Sequence, residues 1–411
     1  MTAKSTSADG AKKAPTARGS DRAAQIIRAA TILFQDNGYQ NVSIDQVGAA
    51  VGLTGPAVYR HFKGKHDILA RALEVQTIHV DGLFAAAKAE PTADRRLQSF
   101  IDGLSDLTAN SDAATLWRRE QQHLNPEQRD RFNESFALNQ ARIAELLLEA
   151  NPALTAHHAE LIGHTVLSMF SNTPSIRGSL SAQRLMQLQR SLAQAMIMAP
   201  LPEPGPTSIV AAVQTQRRPA GRRERILEAA SRLFDERGFY GVPIDDIAKA
   251  SEMSLATLYQ NVTGKTQVLK AILERGAEGL LYVTADALAL ATSSAEVLDA
   301  LLRTYIRQAL GVHGRLMHIL ANDLLYLTPE EQNDLRETQR EYVAEWIEAI
   351  CALNETLTPA DARALAQAVI GVVTDVSQTP RLRARPGIAD ELAALAHAMM
   401  RLSGEDEPPG A

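Results

Sequence analysis

Apolar residues recur along this chain at three- and four-residue intervals almost everywhere, and the strict alternation of a half-buried strand is nearly absent. The pattern predicts an all-α fold. Near the start, Ile26, Ile27, Ala30, Leu33 and Phe34 form one helical stripe, and Gly38 stops that helix as a C-terminal glycine commonly does. Ser43 stands three residues before Gln46, a capping-box spacing that opens a short helix with Ile44, Val47 and Val51 on its inner face. Gly52 supplies a tight turn. Thr54 caps a third helix, Pro56 is tolerated in its first turn, and the helix runs from Ala57 to Phe62. A long helix then begins at Lys65 or His66. Short helix, glycine turn, short helix is a helix-turn-helix pattern, which also occurs as a plain packing motif.

The pattern is present twice. At an offset of 200, Arg22, Ile26, Ala29, Ala30, Leu33, Phe34 and Gly38 fall on Arg222, Ile226, Ala229, Ala230, Leu233, Phe234 and Gly238, and the register holds through Lys65 on Lys265 and Leu73 on Leu273. At an offset of 203, Leu124 to Glu127 resembles Leu327 to Glu330, and Leu154 with Thr155 matches Leu357 with Thr358. A whole unit of about 180–200 residues was duplicated. Between the copies, Pro200, Pro202, Pro204 and Pro206 exclude helix and favour extended chain.

These boundaries divide the chain into an arm at 1–19, a head at 20–65, a helical body at 66–199, a proline-rich linker at 200–220, a second head at 221–265, a second body at 266–403 and a tail at 404–411. The arm and tail are expected to be disordered. Each body reads as about six helices, starting near Lys65, Asp94, Ala113, Pro126, Thr155 and Ser181 in the first copy and near Thr266, Ala295, Gly314, Pro329, Thr358 and Gly387 in the second.

Composition narrows the function class. Of the 411 residues, 45% are hydrophobic and 22% charged, as in soluble globular protein, and no apolar run is long enough for a bilayer. The lone cysteine, Cys351, excludes an intrachain disulfide and cysteine-based zinc clusters, and suits a reducing cytoplasm. No glycine-rich phosphate loop, His-Glu-x-x-His motif or nucleophile elbow is present, so neither an enzyme nor a metal site nor a cofactor is expected. The net charge of −6 looks wrong for a nucleic-acid binder, but its distribution matters more. Lys4, Lys12, Lys13 and Arg18 lie in the arm, and Arg217, Arg218, Arg222, Arg223 and Arg225 cluster at the start of the second head. Such local patches on an acidic chain attract phosphate.

The run from Ser43 to Leu69, with Tyr59, Arg60, His61, Phe62 and Lys65, together with Ala29, Ala30, Leu33, Phe34, Gly38 and Tyr39, resembles the signature of the TetR family. The resemblance implies a three-helix DNA-binding head, a helical regulatory body, dimeric binding to double-stranded operator DNA, and release by a small-molecule effector. It implies that Thr54, Tyr59, His61 and Lys65 hold phosphates while Gly55, Pro56, Ala57 and Arg60 face the major groove; with Ser43 these form the candidate contact set of the first head. Independently of it, hydroxyl, guanidinium and imidazole groups at positions 54 and 59–61 can donate to phosphates or base edges, and Lys65 stands at a helix N-terminus favourable to phosphate.

The second head departs from the signature. Pro243 replaces the serine cap, Glu252 stands where the turn wants glycine, and Asn261 with Val262 replaces His61 with Phe62. Its candidate set is Ser254, Leu255, Thr257, Tyr259, Gln260, Asn261 and Lys265. Either it reads DNA with its own, weaker preference, which we favour, or it is retained for shape. In the bodies, Trp117, His123, His164, Asn172, Tyr305, Tyr326 and Trp346 are candidate effector contacts. The final helices of the two bodies are expected to dimerise, within one chain as a pseudo-dimer or between two chains as a homodimer. No membrane partner is expected, and repression is the mode the resemblance favours.

Overall fold

A computed structural model of the protein describes residues 17–110, 116, 120, 123–203, 219–311 and 314–400. All regular structure among the described residues is helical, as the apolar spacing predicts. The arm up to residue 16, most of the linker (204–218), Trp117, the start near Ala113 and the tail lie outside the described residues.

The chain divides into two compact units after Val75. The first contains α1 (Ala17–Asn37), α2 (Ile44–Ala50), α3 (Gly55–Val58) and the start of α4 (Lys65–Lys88). Ile26, Ala30 and Phe34 lie one helical turn apart on α1 and are fully buried with Val47, Val58, Ile68 and Leu69. Phe34 meets Tyr39 edge-on at 5.3 Å, closing the turn after α1 onto the core. The α-helix of the third element ends at Val58, shorter than expected; tighter turns carry the chain on, with His61 N–H donating to the Val58 carbonyl at 2.9 Å.

The second unit begins at Gln76. The first body adds α5 (Ala93–Asn110), α6 (Pro126–Ala150), α7 (Ala156–Ser171), α8 (Thr173–Arg177) and α9 (Ala182–Ile197). The second head is α10 (Arg222–Arg237), α11 (Ile244–Ala250) and α12 (Leu255–Tyr259). The second body is α13 (Lys265–Leu288), α14 (Ser294–Leu310), α15 (Gly314–Asp323), α16 (Pro329–Leu353), α17 (Pro359–Gln378), α18 (Pro380–Arg383) and α19 (Ile388–Met400). Asn125, Thr328 and Thr358 each cap the helix that follows through a reciprocal capping box with Gln128, Glu331 and Asp361, and each helix has proline in its first turn. The short helices α8 and α18 are not signalled by apolar spacing.

The two bodies share one apolar core. Phe100, Ile143 and Phe170 of the first and Leu302, Trp346 and Val369 of the second belong to the same contiguous cluster. Its centre is four helices: α7 packs on α17 and on α9, α9 on α19, and α19 on α17. Nearly every residue of α7 from His158 to Phe170 is buried, as expected of a helix apolar on all sides. Polar groups stitch the seam between the bodies. Arg184 pairs with Asp361 at 2.8 Å, Glu160 with Arg381 and, at 3.8 Å, with Arg385. Ser168 and Asn172 both donate to the Asp375 carboxylate, and Arg385 donates to the His157 carbonyl at 2.9 Å. A Cβ on Gly371 would lie 2.7 Å from the Asn172 amide, so glycine there permits the close approach of α17.

Candidate nucleic-acid interface and effector cavities

In the first head, the Ser43 hydroxyl accepts from Gln46 N–H at 3.2 Å and Gln46 Oε1 accepts from Ser43 N–H at 2.7 Å, so this side chain is spent on starting α2. Gly52 takes φ 67° and turns the chain towards α3. Thr54 is the N-cap of α3 but its hydroxyl makes no capping bond. Thr54, Pro56, Arg60 and His61 are exposed, Ala57 is half-buried, and the ring of Tyr59 is 58% exposed. The exposed Tyr59 ring is followed in sequence by an exposed guanidinium and imidazole, donors that phosphates and base edges can accept from. Gly55 is buried, and a Cβ there would collide with the Asp45 carboxylate, so its place is the α2–α3 packing contact rather than an open face. Phe62 is buried, as expected of a core residue.

The second head repeats this arrangement with other chemistry. The Ser254 hydroxyl caps α12, accepting from Thr257 N–H at 3.1 Å and lying 2.9 Å from the Thr257 hydroxyl. Leu255, Gln260 and Tyr259 are exposed, the last at 50%. Asn261 donates back to the Thr257 carbonyl at 2.8 Å. Glu252 takes φ 57°, the left-handed conformation that the match to Gly52 foretells.

The two lysines have an occupation that spacing did not reveal. Lys65 donates to the Tyr39 carbonyl at 2.7 Å and lies 4.3 Å from the centre of the Tyr39 ring. Lys265 donates to the Phe239 and Val242 carbonyls at 2.8 and 3.0 Å, over the Phe239 ring. Burial lowers the pKa of Lys265, partly offset by Asp323. Besides the phosphate contacts expected of them, both ammonium groups hold the turn that follows the first helix of their head.

Cavities among the described residues lie in both bodies. A space of about 110 Å³ in the first body is lined by Leu104, Phe132, Phe136, Asn139 and Phe170 among others. A larger one, about 610 Å³, lies in the second body and includes Asn172 and Ser175 of the first in its wall. The structure redistributes the expected effector contacts. Tyr305 and Asn172 line the larger cavity. Burial pushes the Tyr305 phenol up to about 12, against a hydrogen bond with Thr374 at 2.8 Å, so it stays neutral. His164 is bonded to Gln140 and, at 3.4 Å, Thr379, placing it on the seam between bodies. His123 faces Glu120 at 3.5 Å. Tyr326 stacks on Phe239 beneath the second head, and Trp346 is fully buried beside Tyr305 and Tyr342. None of these four lines either cavity. Spacing missed Arg275, Arg336, Gln308, Gln339 and Gln367, which do line the larger one. The available signal was the repeat, since Val75 stands at the counterpart of Arg275.

Two helix-turn-helix heads with exposed donors, each followed by a helical body, define a tandem helix-turn-helix protein. The family described as bacterial regulatory proteins, tetR family, matches at residues 26–72 and again at 226–272. The Tn10 transposon TetC protein of Escherichia coli is 39% identical over 56 residues, 14% of this chain and 28% of that protein. The HTH-type transcriptional activator FasR of Mycolicibacterium smegmatis is 31% identical over 84 residues, 20% of this chain and 38% of that protein. The chain thus spans well under half the length of these relatives. Among solved structures, a TetR-family transcriptional regulator from Bordetella parapertussis is 21% identical, with 45% of this chain and 94% of that one covered at TM-score 0.39. KstR2 of Mycobacterium tuberculosis is 20% identical, with 46% and 97% covered at TM-score 0.38. Residues 26–72 and 226–272 are thus two copies of the DNA-binding domain of the TetR family. No helix among the described residues is long and apolar enough to cross a membrane.

Proposed function

We propose that this protein is a sequence-specific, DNA-binding transcriptional regulator, a ligand-responsive repressor whose two units act as an intramolecular pseudo-dimer. The observation that carries the reading is the four-helix seam: α7 and α9 of the first body pack on α17 and α19 of the second within a single chain. A helix-turn-helix protein needs two heads to bind two half-sites, and here one chain supplies both. Tethering raises the partner's effective concentration to the millimolar range, which favours pairing within the chain.

In this reading Thr54, Tyr59 and His61 contact phosphates while Pro56, Ala57 and Arg60 approach the major groove. Ser254, Leu255, Thr257, Tyr259, Gln260 and Asn261 do the same for the second head. Arg60 favours guanine and Gln260, its counterpart, favours adenine when bidentate, so the operator is asymmetric. Lys65 and Lys265 act by fixing the turn of each head. The effector occupies a body cavity, and 610 Å³ falls within the usual range for small-molecule sites. One matched relative is described as an activator, so the sign of regulation is tested together with the site. Genomic binding sites are mapped by pull-down of the native protein, and transcription of the adjacent gene is measured with and without the protein. Unlike half-sites and a rise in transcription on deletion are expected. Recovery of no enriched DNA overturns the function, and a fall in transcription overturns repression.

A further inference from the structure

The larger cavity carries more information than its volume. Its floor is apolar, with Leu280, Leu316, Leu320 and Ile370, yet among the described residues Arg275 and Arg336 line it and no aspartate or glutamate does. A lining with that charge balance is complementary to an apolar molecule bearing an acid group. The two guanidinium groups are differently engaged. Arg336 donates to the Gln332 amide oxygen at 3.0 Å, a neutral partner. Arg275, on α13, makes a two-pronged bond to Glu224 in the first turn of α10, at 2.5 and 2.8 Å. Glu224 belongs to the second head, so a residue of the cavity wall is also an anchor of that head. The pair is about half exposed, 44% and 47%, where a salt bridge is weak and readily exchanged.

We propose that this cavity binds an apolar molecule ending in one acid group, and that Arg275 receives the acid in exchange for Glu224, releasing the start of α10. The inference rests on the ligand-responsive reading above. The rest of α10 stays attached through Arg315 to Glu228 at 3.0 Å and His318 to Asp235 at 2.6 Å, so exchange tilts the second head rather than detaching it. A ligand shifts an equilibrium only by its differential affinity for two states, and competition for one guanidinium supplies that difference. The device belongs to the second copy of the repeat alone. At the repeat offsets, Arg275, Arg336 and Glu224 correspond to Val75, Asn133 and Ala24.

The probes are decanoate and 1-decanol, below their aggregation concentrations, titrated calorimetrically into the full-length protein without DNA. Decanoate is expected to saturate and to bind about tenfold or more tightly than the alcohol. Arg275→Gln is expected to erase most of that preference. Glu224→Gln, which removes the competitor while keeping side-chain size, is expected to tighten decanoate binding several-fold. Absence of decanoate binding, or equal binding of acid and alcohol, overturns the ligand class. Unchanged decanoate affinity in Glu224→Gln overturns the exchange. DNA binding is tested separately by gel shift: with an intact decanoate isotherm, a ligand-free protein that shifts no DNA, or a shift that saturating decanoate leaves unchanged, sinks the regulatory reading and leaves the site standing.

Discussion

Glu252 takes φ 57° because the repeat places it where the first copy has Gly52 at φ 67°. A left-handed residue with a Cβ costs on the order of 1 kcal/mol, so Glu252→Gly should stabilise the second head by about that amount, read as slower amide exchange in α11 and α12. That strain was legible in the sequence, since a gapless alignment maps residue onto residue. The roles of Lys65 and Lys265 were not. Spacing reports a charge at a helix start; it does not report that a turn 26 residues earlier brings its carbonyls to the same place. Asp323 is equally hidden. Burial pushes its carboxyl up to about 7, against the positive charges of His318 and Lys265 and the Phe239 backbone, while Asp235 adds to the rise. The folded state therefore keeps a proton that the unfolded chain gives up near the ordinary value of 3.8. This group's stabilising contribution is present in full below that value and is lost as pH rises to about 7. Asp323→Asn should flatten the pH profile of stability across that window, by an amount on the order of a few kcal/mol; an unaltered profile in denaturant melts from pH 4 to 8 would contradict the assignment. At the DNA surface, Arg60→Ala should relax base preference in one half-site alone, by about 1–3 kcal/mol, measured by titrating single-base operator variants.

Helices α7, α9, α17 and α19 were legible as elements because each is rich in apolar residues, and the family resemblance suggested that they pair. Their charge code needed the structure. Glu160 of the first body faces Arg381 and Arg385 of the second. By the repeat offsets, Glu160 corresponds to Arg363, so a pairing of two second bodies would bring Arg363 against Arg381 and Arg385. The Arg184–Asp361 pair also crosses this seam. Asp361 is kept ionised despite burial, which would raise its pKa, by hydrogen bonds from Arg184 and Thr358 that hold it below the usual range. Like charges across a homotypic seam act against the wrong pairing. Glu160→Arg should lower the thermal midpoint of the full chain, and adding Arg381→Glu should recover part of the loss, a coupling of about 0.5–1 kcal/mol for so exposed a pair. Simple additivity of the two changes would mean the seam charges are decorative. The cavity is the least legible element: Arg275, Arg336 and the glutamines around it share no spacing, and meet because α13, α16 and α17 cross in space.

At the scale of the whole molecule, duplication and tether act together. The chain carries an overall charge of −6, with basic residues gathered around its heads, so attraction to DNA is local and falls with salt. The two bodies share one core, and the seam between them is heterotypic in charge, which disfavours a pairing of two second bodies. The heads differ at the positions proposed to meet bases, Arg60 against Gln260 and His61 against Asn261, so on the proposed function the DNA they select has two unlike halves. The central claim is therefore about stoichiometry, and the direct measurement is the mass of the protein, free and bound to its mapped operator, at nanomolar concentration in solution. One chain in both states, protecting two dissimilar half-sites, is the predicted result; two chains on a palindrome, engaged through their first heads alone, would contradict it.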